Sequence, residues 1–219
     1  KMSSATLNLL KNYASINSNI LVKPGNKIAT ISPVKNVMSE AIVEEDFDTE
    51  FGIWDLNKFL GVVSLFDKPE FAFSEKSVTI YGGSASVEYY YSEPSLLSVP
   101  TKTITMPEGV VTFKLTQKNF AELQKAASVL QVSDLAVRTD GDMLQLAVLD
   151  KNDVTSNCYT IDLGEVAGGK EFCFYFKVEN LKMIEGDYNV DISNKNISQF
   201  SGNDVVYWIA LETDSKYNG

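Results

Sequence analysis

The chain has 219 residues, 44% of them hydrophobic and 11% aromatic. That is enough apolar side chain to fill real cores, so disorder is excluded as its main description. It carries 19 basic against 29 acidic residues, a formal net charge of −10, and no histidine. Without imidazole there is no Ser-His-Asp or Cys-His nucleophile and no His-ligated zinc, and the commonest proton shuttle near neutrality is absent.

Residues 3–17 place Leu7, Leu10 and Ala14 at helical spacing behind Ser3 or Ser4, either of which can cap a helix. The opposite stripe, Ser4, Asn8, Lys11, Asn12 and Ser15, holds no acid. Strand-like runs follow at 20–23, 27–32, 39–43 and 47–53, with a Pro24-Gly25-Asn26 turn between the first two. Asp55 opens a second expected helix to about residue 66, burying Leu56, Phe59, Leu60 and Val63, and strands at 71–74, 77–81 and 85–91 close this half. Pro94, Pro100 and Pro107 then punctuate a Ser- and Thr-rich stretch that opposes helix and central strand alike. The expected organisation is therefore a domain over 1–92, a connector over 93–109 and a domain over 110–219.

The second half repeats the first. A strand at 110–115 leads to a helix at 116–130 with Phe120, Leu123, Ala127 and Leu130 inward. Strands at 134–139 and 143–149 flank an Asp140-Gly141-Asp142 turn; runs at 155–163 and 171–176 precede a short helix expected at 177–184; strands at 187–193, 196–201 and 205–211 end the chain. At an offset of 119, Ser74-Glu75-Lys76 falls on Ser193-Asn194-Lys195, Tyr81 on Phe200, Gly83 on Gly202 and Val87 on Val206. The matching order of elements makes this an internal duplication, two α+β domains of similar topology.

Charge is unevenly placed. The four expected helices hold Lys11, Lys58, Lys118, Lys125, Lys177 and Lys182 against Asp55, Glu122 and Glu179, while the remainder holds thirteen basic and twenty-six acidic residues. Lysine is a good helix former on any solvated face. Lysines gathered on one surface would instead meet phosphates without reading bases.

Cys158 and Cys173 make no disulfide framework, fit a reducing interior and are expected to be small packing residues. The apolar runs fall far short of the ~20 residues that cross a bilayer, and no leader of charged, apolar and small residues opens the chain, so neither membrane nor export is expected. Two other chemistries fit poorly. Glu44-Glu45-Asp46 with Asp48 would need adjacent strand residues, which face opposite ways, to converge on one glycosidic bond; an acidic solvated turn is expected instead. Asp140-Gly141-Asp142 lacks the ligand ladder of a calcium loop and is expected to be a hairpin turn.

Leu9-Leu10-Lys11-Asn12, with Ala14 and Ile16-Asn17-Ser18, resembles the opening helix of the T-even-type bacteriophage sliding clamps, the viral DNA polymerase processivity factors. Asp55-Leu56-Asn57, Phe59-Leu60-Gly61 and Ser64-Leu65 resemble that family's second helix. Lys182-Met183, Gly186-Asp187-Tyr188 and Leu211-Glu212-Thr213-Asp214-Ser215 resemble its C-terminal region. The resemblance implies an α+β chain of two DNA-clamp domains in a homotrimeric ring, with helices on the inner face and antiparallel sheets on the outer. It implies a non-enzymatic role without cofactors. The ring encircles double-stranded DNA and tethers the viral DNA polymerase, in the cytoplasm of the infected bacterial host. Lys11, Lys58, Lys118, Lys125, Lys177 and Lys182 would then face DNA.

By the same resemblance, subunits join through edge strands at 85–91 and 155–163, carrying Tyr89, Tyr90, Tyr91, Cys158 and Tyr159, where strand aromatics filling both faces of a sheet are the plainer reading of the tyrosines. Partner tails, late-transcription factors among them, would dock near Leu96, Leu97 and Val99, residues that would equally serve as ordinary packing. The ring needs an ATP-driven clamp loader, and because the chain has no Gly-x-x-x-x-Gly-Lys loop, that loader is another protein. The alternative is a ring-forming phage structural protein with a duplicated β-rich domain, which need not concentrate lysine on its helices.

Overall fold

Ser3 sets the start of the first helix. Its backbone is extended and its hydroxyl accepts the Thr6 amide at 3.1 Å, so α1 runs Ser4–Ile16. The computed structural model describes residues 1–166 and 169–219, which divide into two units.

The first unit comprises Lys1–Thr103 with Lys182–Ile184 and Asp204–Tyr207. After α1 come β1 (Ile20–Val22), β2 (Gly25–Ile31), β3 (Val37–Phe47), β4 (Phe51–Ile53), α2 (Leu56–Val63), β5 (Glu70–Phe73), β6 (Ser77–Gly82) and β7 (Ala85–Tyr90). β1 pairs antiparallel with β4 and β2 with β3, and β5-β6-β7 form an antiparallel three-stranded sheet ending in β7. Helix α1 packs on α2, β2 and β3. Beneath it Leu9, Leu10, Tyr13, Ile28, Leu56 and Phe59 are buried, and the Tyr13 hydroxyl pairs with Ser39 Oγ at 2.8 Å. Burying that phenol without a partner would cost part of what its ring contributes.

Strand β3 corrects an expectation. The acidic run forms no turn; one strand of 11 residues passes through Glu44, Glu45 and Asp46. Its period of two turns Glu44 and Asp46 to solvent and Glu45 toward the start of α1, where the carboxylate accepts the Ser3 amide and the Thr6 hydroxyl. Partial burial pushes the Glu45 carboxyl up, but the bonds from Thr6 and Ser3 outweigh it and hold it below the ordinary value. The carboxylate thus serves free amide and hydroxyl donors at a helix start, and the three acids do not converge.

The second unit comprises Ile104–Leu181, Glu185–Asn203 and Trp208–Gly219. It contains β8 (Val111–Leu115), α3 (Gln117–Leu130), β9 (Asp134–Asp140), β10 (Met143–Leu149), β11 (Tyr159–Glu165), β12 (Glu171–Lys177), β13 (Tyr188–Ile192), β14 (Ile197–Ser201), β15 (Val205–Ala210) and β16 (Lys216–Asn218); the first three residues of β15 belong to the first unit. One sheet has the order β11-β10-β9-β12-β16, and β13 pairs antiparallel with β8 and β14. Gly141 and Asp142 turn the β9–β10 hairpin between paired Asp140 and Met143, with Gly141 at φ +58°. Helix α3 is capped by Thr116 Oγ1, which accepts the Asn119 amide at 3.1 Å, and by Asp187 Oδ1, which accepts the Gln117 amide at 2.9 Å.

The helix expected at 177–184 is absent. Lys177 stays in the β12 ladder opposite Asp134, Val178–Asn180 makes a single 3-10 turn, and Leu181 leaves helical space at ψ 50°. α2 forms with eight residues behind the Asp55 cap, but here Lys177 is held in the strand and offers no side-chain cap, so the turn that follows does not propagate. The described residues therefore hold three α-helices, and the 3-10 turn occupies the place in chain order that α2 holds in the first unit. The duplication is visible elsewhere: shifting β5, β6 and β7 by 119 residues lands on β13, β14 and β15 to within one residue at each end.

Candidate functional site

The lysine bias survives the loss of the fourth helix. The three α-helices hold Lys11, Lys58, Lys118 and Lys125 against Glu122 alone, leaving fifteen basic and twenty-eight acidic residues elsewhere. All four lysines are exposed. Lys118 and Lys125 are seven residues apart, so they share a face of α3 to within about 20°. Lys118 lies 3.9 Å from Glu122 with 83% of its side chain exposed, a contact too loose and too wet to hold it. Lys58 sits in the first turn of α2, where Asp55 Oδ1 accepts its amide at 2.9 Å, and α2 packs against the helix that carries Lys11.

Lys177 and Lys182 are not helical, and both are engaged. Lys177 Nζ lies 2.9 Å from Asp134 Oδ1, a hydrogen-bonded ion pair that holds the amine above its ordinary value. Lys182 Nζ donates to the Ser15 carbonyl at 3.0 Å, satisfying one of the acceptors left free in the last turn of α1. Asn12 Nδ2 donates to the Lys182 carbonyl at 3.1 Å, and the Tyr207 hydroxyl donates to Asn12 Oδ1 at 2.7 Å. Lys182 thus joins the polar stripe of Lys11, Asn12 and Ser15 across a sequence gap that no local pattern signals.

The connector is tied down by two buried asparagines, Asn17, which the sequence marks only as part of the opening-helix resemblance, and Asn19, which no motif marks. Asn17 Nδ2 donates to the Ser98 and Ile31 carbonyls at 2.8 Å each, Asn19 Oδ1 accepts the Ser98 amide at 2.9 Å, and Asn19 Nδ2 reaches the Trp54 carbonyl at 2.7 Å. This separates Leu96, Leu97 and Val99 instead of joining them in one pocket. Leu96 is 65% exposed, Leu97 packs over Gly52, and Val99 lines a groove of about 330 Å³ with Leu21, Ala29 and Met38. The groove's charged lining is Lys23, Lys27 and Lys102 with Glu40, the last 3.6 Å from Lys27. A Cβ at Gly52 would lie 2.5 Å from Leu97 Cδ1 and 2.8 Å from the Ser92 carbonyl oxygen. Gly52→Ala is therefore expected to cost about 1–3 kcal/mol and to loosen the connector. Chemical unfolding and faster proteolytic cleavage between Ser92 and Thr103 would measure both.

The tyrosine run divides. Tyr89 packs edge-on against Phe59 at 5.3 Å and Tyr91 stacks on Phe51 at 5.4 Å, whereas Tyr90 is 66% exposed. β11 begins four residues later than expected, because Asp150 and Asp153 accept the amides of Asn152 and Thr155 and hold that stretch in turns. Cys158 accordingly precedes the strand, exposed and 3.9 Å from Arg138 Nη2, while Tyr159 opens it opposite Val148. Both β7 and β11 are sheet-terminal strands without a single buried residue.

Known proteins share this organisation. A family described as DNA polymerase processivity factor matches residues 1–106, and one described as gp45 sliding clamp, C terminal, matches residues 112–213. The sliding clamp of Vibrio phage KVP40 is 30% identical over 218 residues, covering 97% of this chain and 99% of that protein. The sliding clamp of Enterobacteria phage T4 is 28% identical over 226 residues, 100% of this chain and 99% of the relative. Among solved structures, A. fulgidus PCNA bound to the C-terminal region of FEN-1 superposes with a TM-score of 0.72 at 16% identity over 98% of both chains, a likeness of fold. The two units of antiparallel sheet with few helices are thus the DNA-clamp fold, and the chain belongs to the bacteriophage sliding-clamp family of DNA polymerase processivity factors.

Proposed function

We propose that three copies of the chain close into a ring around duplex DNA and tether the viral DNA polymerase to its template, without chemistry of their own, in the cytoplasm of the infected host. The observation that carries this reading is the charge division: four exposed lysines against one acid on the α-helices of a chain whose net charge is −10. The described residues of three copies would present nine α-helices, not the twelve that four helical windows imply, with roughly +9 on them and −39 on the rest of the sequence. Weak phosphate contacts permit sliding because they exchange with counterions and read no base. Retention then comes from topology, and processivity from the high effective concentration of a tethered partner. Lys11, Lys58, Lys118 and Lys125 are the proposed DNA contacts. Lys182 is held by the Ser15 carbonyl in the last turn of α1, and Lys177 is left to its ion pair with Asp134.

The partner-tail site is proposed at the groove lined by Val99, since apolar residues beside three lysines and one acid, Glu40, leave a net basic lining that suits an extended tail with apolar and acidic residues. Its occupants are the polymerase, the ATP-driven loader and late-transcription factors. The subunit joint is proposed between β7 of one copy and β11 of the next, which turns two unpaired edges into one ladder.

Retention on circular but not linear DNA tests the reading. A loaded ring stays on closed circles and runs off free ends; equal, salt-sensitive loss from both would overturn it. Lys118→Glu with Lys125→Glu is expected to shorten residence on circles about tenfold or more while leaving the oligomer intact. Loss of the oligomer would show that these lysines serve assembly instead.

A further inference from the structure

Every charged residue on β7 and β11 is acidic: Glu88 on the first, Asp162 and Glu165 on the second. Register decides which way two of them face. In the β6–β7 pair, buried Val78 and Ile80 stand opposite Tyr89 and Val87, which leaves Ser86, Glu88 and Tyr90 on the other face. In the β10–β11 pair, buried Leu146 stands opposite Ile161, and Gln145 opposite Asp162, so Asp162 also lies away from the core side of its sheet. Both carboxylates are fixed there. Ser77 Oγ donates to Glu88 Oε1 at 2.9 Å, and Gln145 Nε2 donates to Asp162 Oδ1 at 2.8 Å. Two basic residues share the Asp162 row: Arg138, which lies beyond Gln145 and donates to that amide at 3.4 Å, and Lys216 on β16, at the opposite edge of the sheet.

We infer that the joint between copies is weakened by like charge, so that ring closure strengthens as salt rises. This rests on the homotrimer reading. Joining β7 to β11 makes the two sheets continuous and brings Glu88 onto the same face as Asp162, across strands ~5 Å apart. Such charges repel within the ~10 Å Debye length of 0.1 M salt and are largely screened at the ~3 Å of 1 M. Phosphate contacts respond in the opposite sense, weakening as salt rises. The same change of ionic strength therefore tightens the ring while loosening its hold on DNA, and a loader opening this joint at low salt is assisted by the repulsion.

Sedimentation equilibrium of the full chain between about 50 mM and about 500 mM NaCl tests the inference, with association expected to strengthen about tenfold. Glu88→Gln with Asp162→Asn should strengthen association at low salt and flatten its salt dependence. Glu70→Gln, an exposed acid on β5 at the far side of the same three-stranded sheet, should leave the dependence unchanged. If salt dissociates the ring, or if Glu70→Gln flattens the response as much as the pair does, the joint is not the source and the inference falls while the ring stands. A single chain at every salt concentration, in all variants, overturns the homotrimer reading and this inference with it.

Discussion

Phe59→Ala is expected to destabilise the first unit by about 3–5 kcal/mol, the range for removing a fully buried ring and leaving a cavity. Phe59 has no exposed surface, and it packs edge-on against Tyr89 at 5.3 Å, so the substitution also removes an aromatic pair. The consequence reaches the function. Phe59 is the anchor of α2, whose exposed Lys58 is its sequence neighbour, and Tyr89 lies on the β7 edge. A loosened α2 should shorten residence on circular DNA beyond what Lys58→Ala alone does, while Phe59→Leu should recover most of both losses. Guanidinium unfolding gives the stability term and retention on circles the functional one; an unchanged unfolding midpoint would show that α2 is not held by this ring.

Asp134→Ala is expected to cost the second unit about 3 kcal/mol, because it strands donors around a fully buried carboxylate. Asp134 Oδ1 takes Lys177 Nζ at 2.9 Å and Oδ2 takes the Lys151 amide at 3.0 Å. Lys151 Nζ in turn lies 2.8 Å from Asp214 and 3.5 Å from Glu212, tying the turn after β10 to the C-terminal segment. Lys177→Met should cost a similar amount by leaving the acid buried alone, and Asp134→Leu with Lys177→Met should cost less than the two single losses summed. The pH dependence has a defined sign. The Lys177 amine is raised above its unfolded value, so its contribution is fully present below the ordinary lysine range and fades as pH rises through the raised one. Unfolding at neutral and strongly alkaline pH should show that fading in the wild type and not in Lys177→Met.

The one secondary-structure error in the helices and the one in β3 share a cause. The expected helix at 177–184 has lysines and apolar residues at serviceable spacing, but Lys177 is drawn into β12 by an aspartate 43 residues away. The acidic run in β3 reads as a turn by composition, but alternation along the strand sends two carboxylates to water, and Glu45 finds its donors at Ser3 and Thr6. In both places a partner distant in sequence outweighs a local preference worth a few tenths of a kcal/mol per residue.

By itself the sequence determined what short-range periodicity and composition encode. The three real helices, the duplicated closing strands, the sign of the charge on the helices and the exclusion of histidine chemistry were all legible, because each depends on residues within a turn or two of one another, or on none in particular. Only the tertiary structure decided which lysines are free. Lys118 and Lys125 remain exposed on α3, Lys177 is spent on Asp134, and Lys182 caps a helix that begins 178 residues before it. It likewise decided that Asn17 and Asn19 hold the connector and that Leu97 closes over Gly52, sending Val99 alone into the groove. Such contacts arise from desolvated donors and acceptors meeting across the fold, and their pairing is set by three-dimensional register instead of by spacing along the chain.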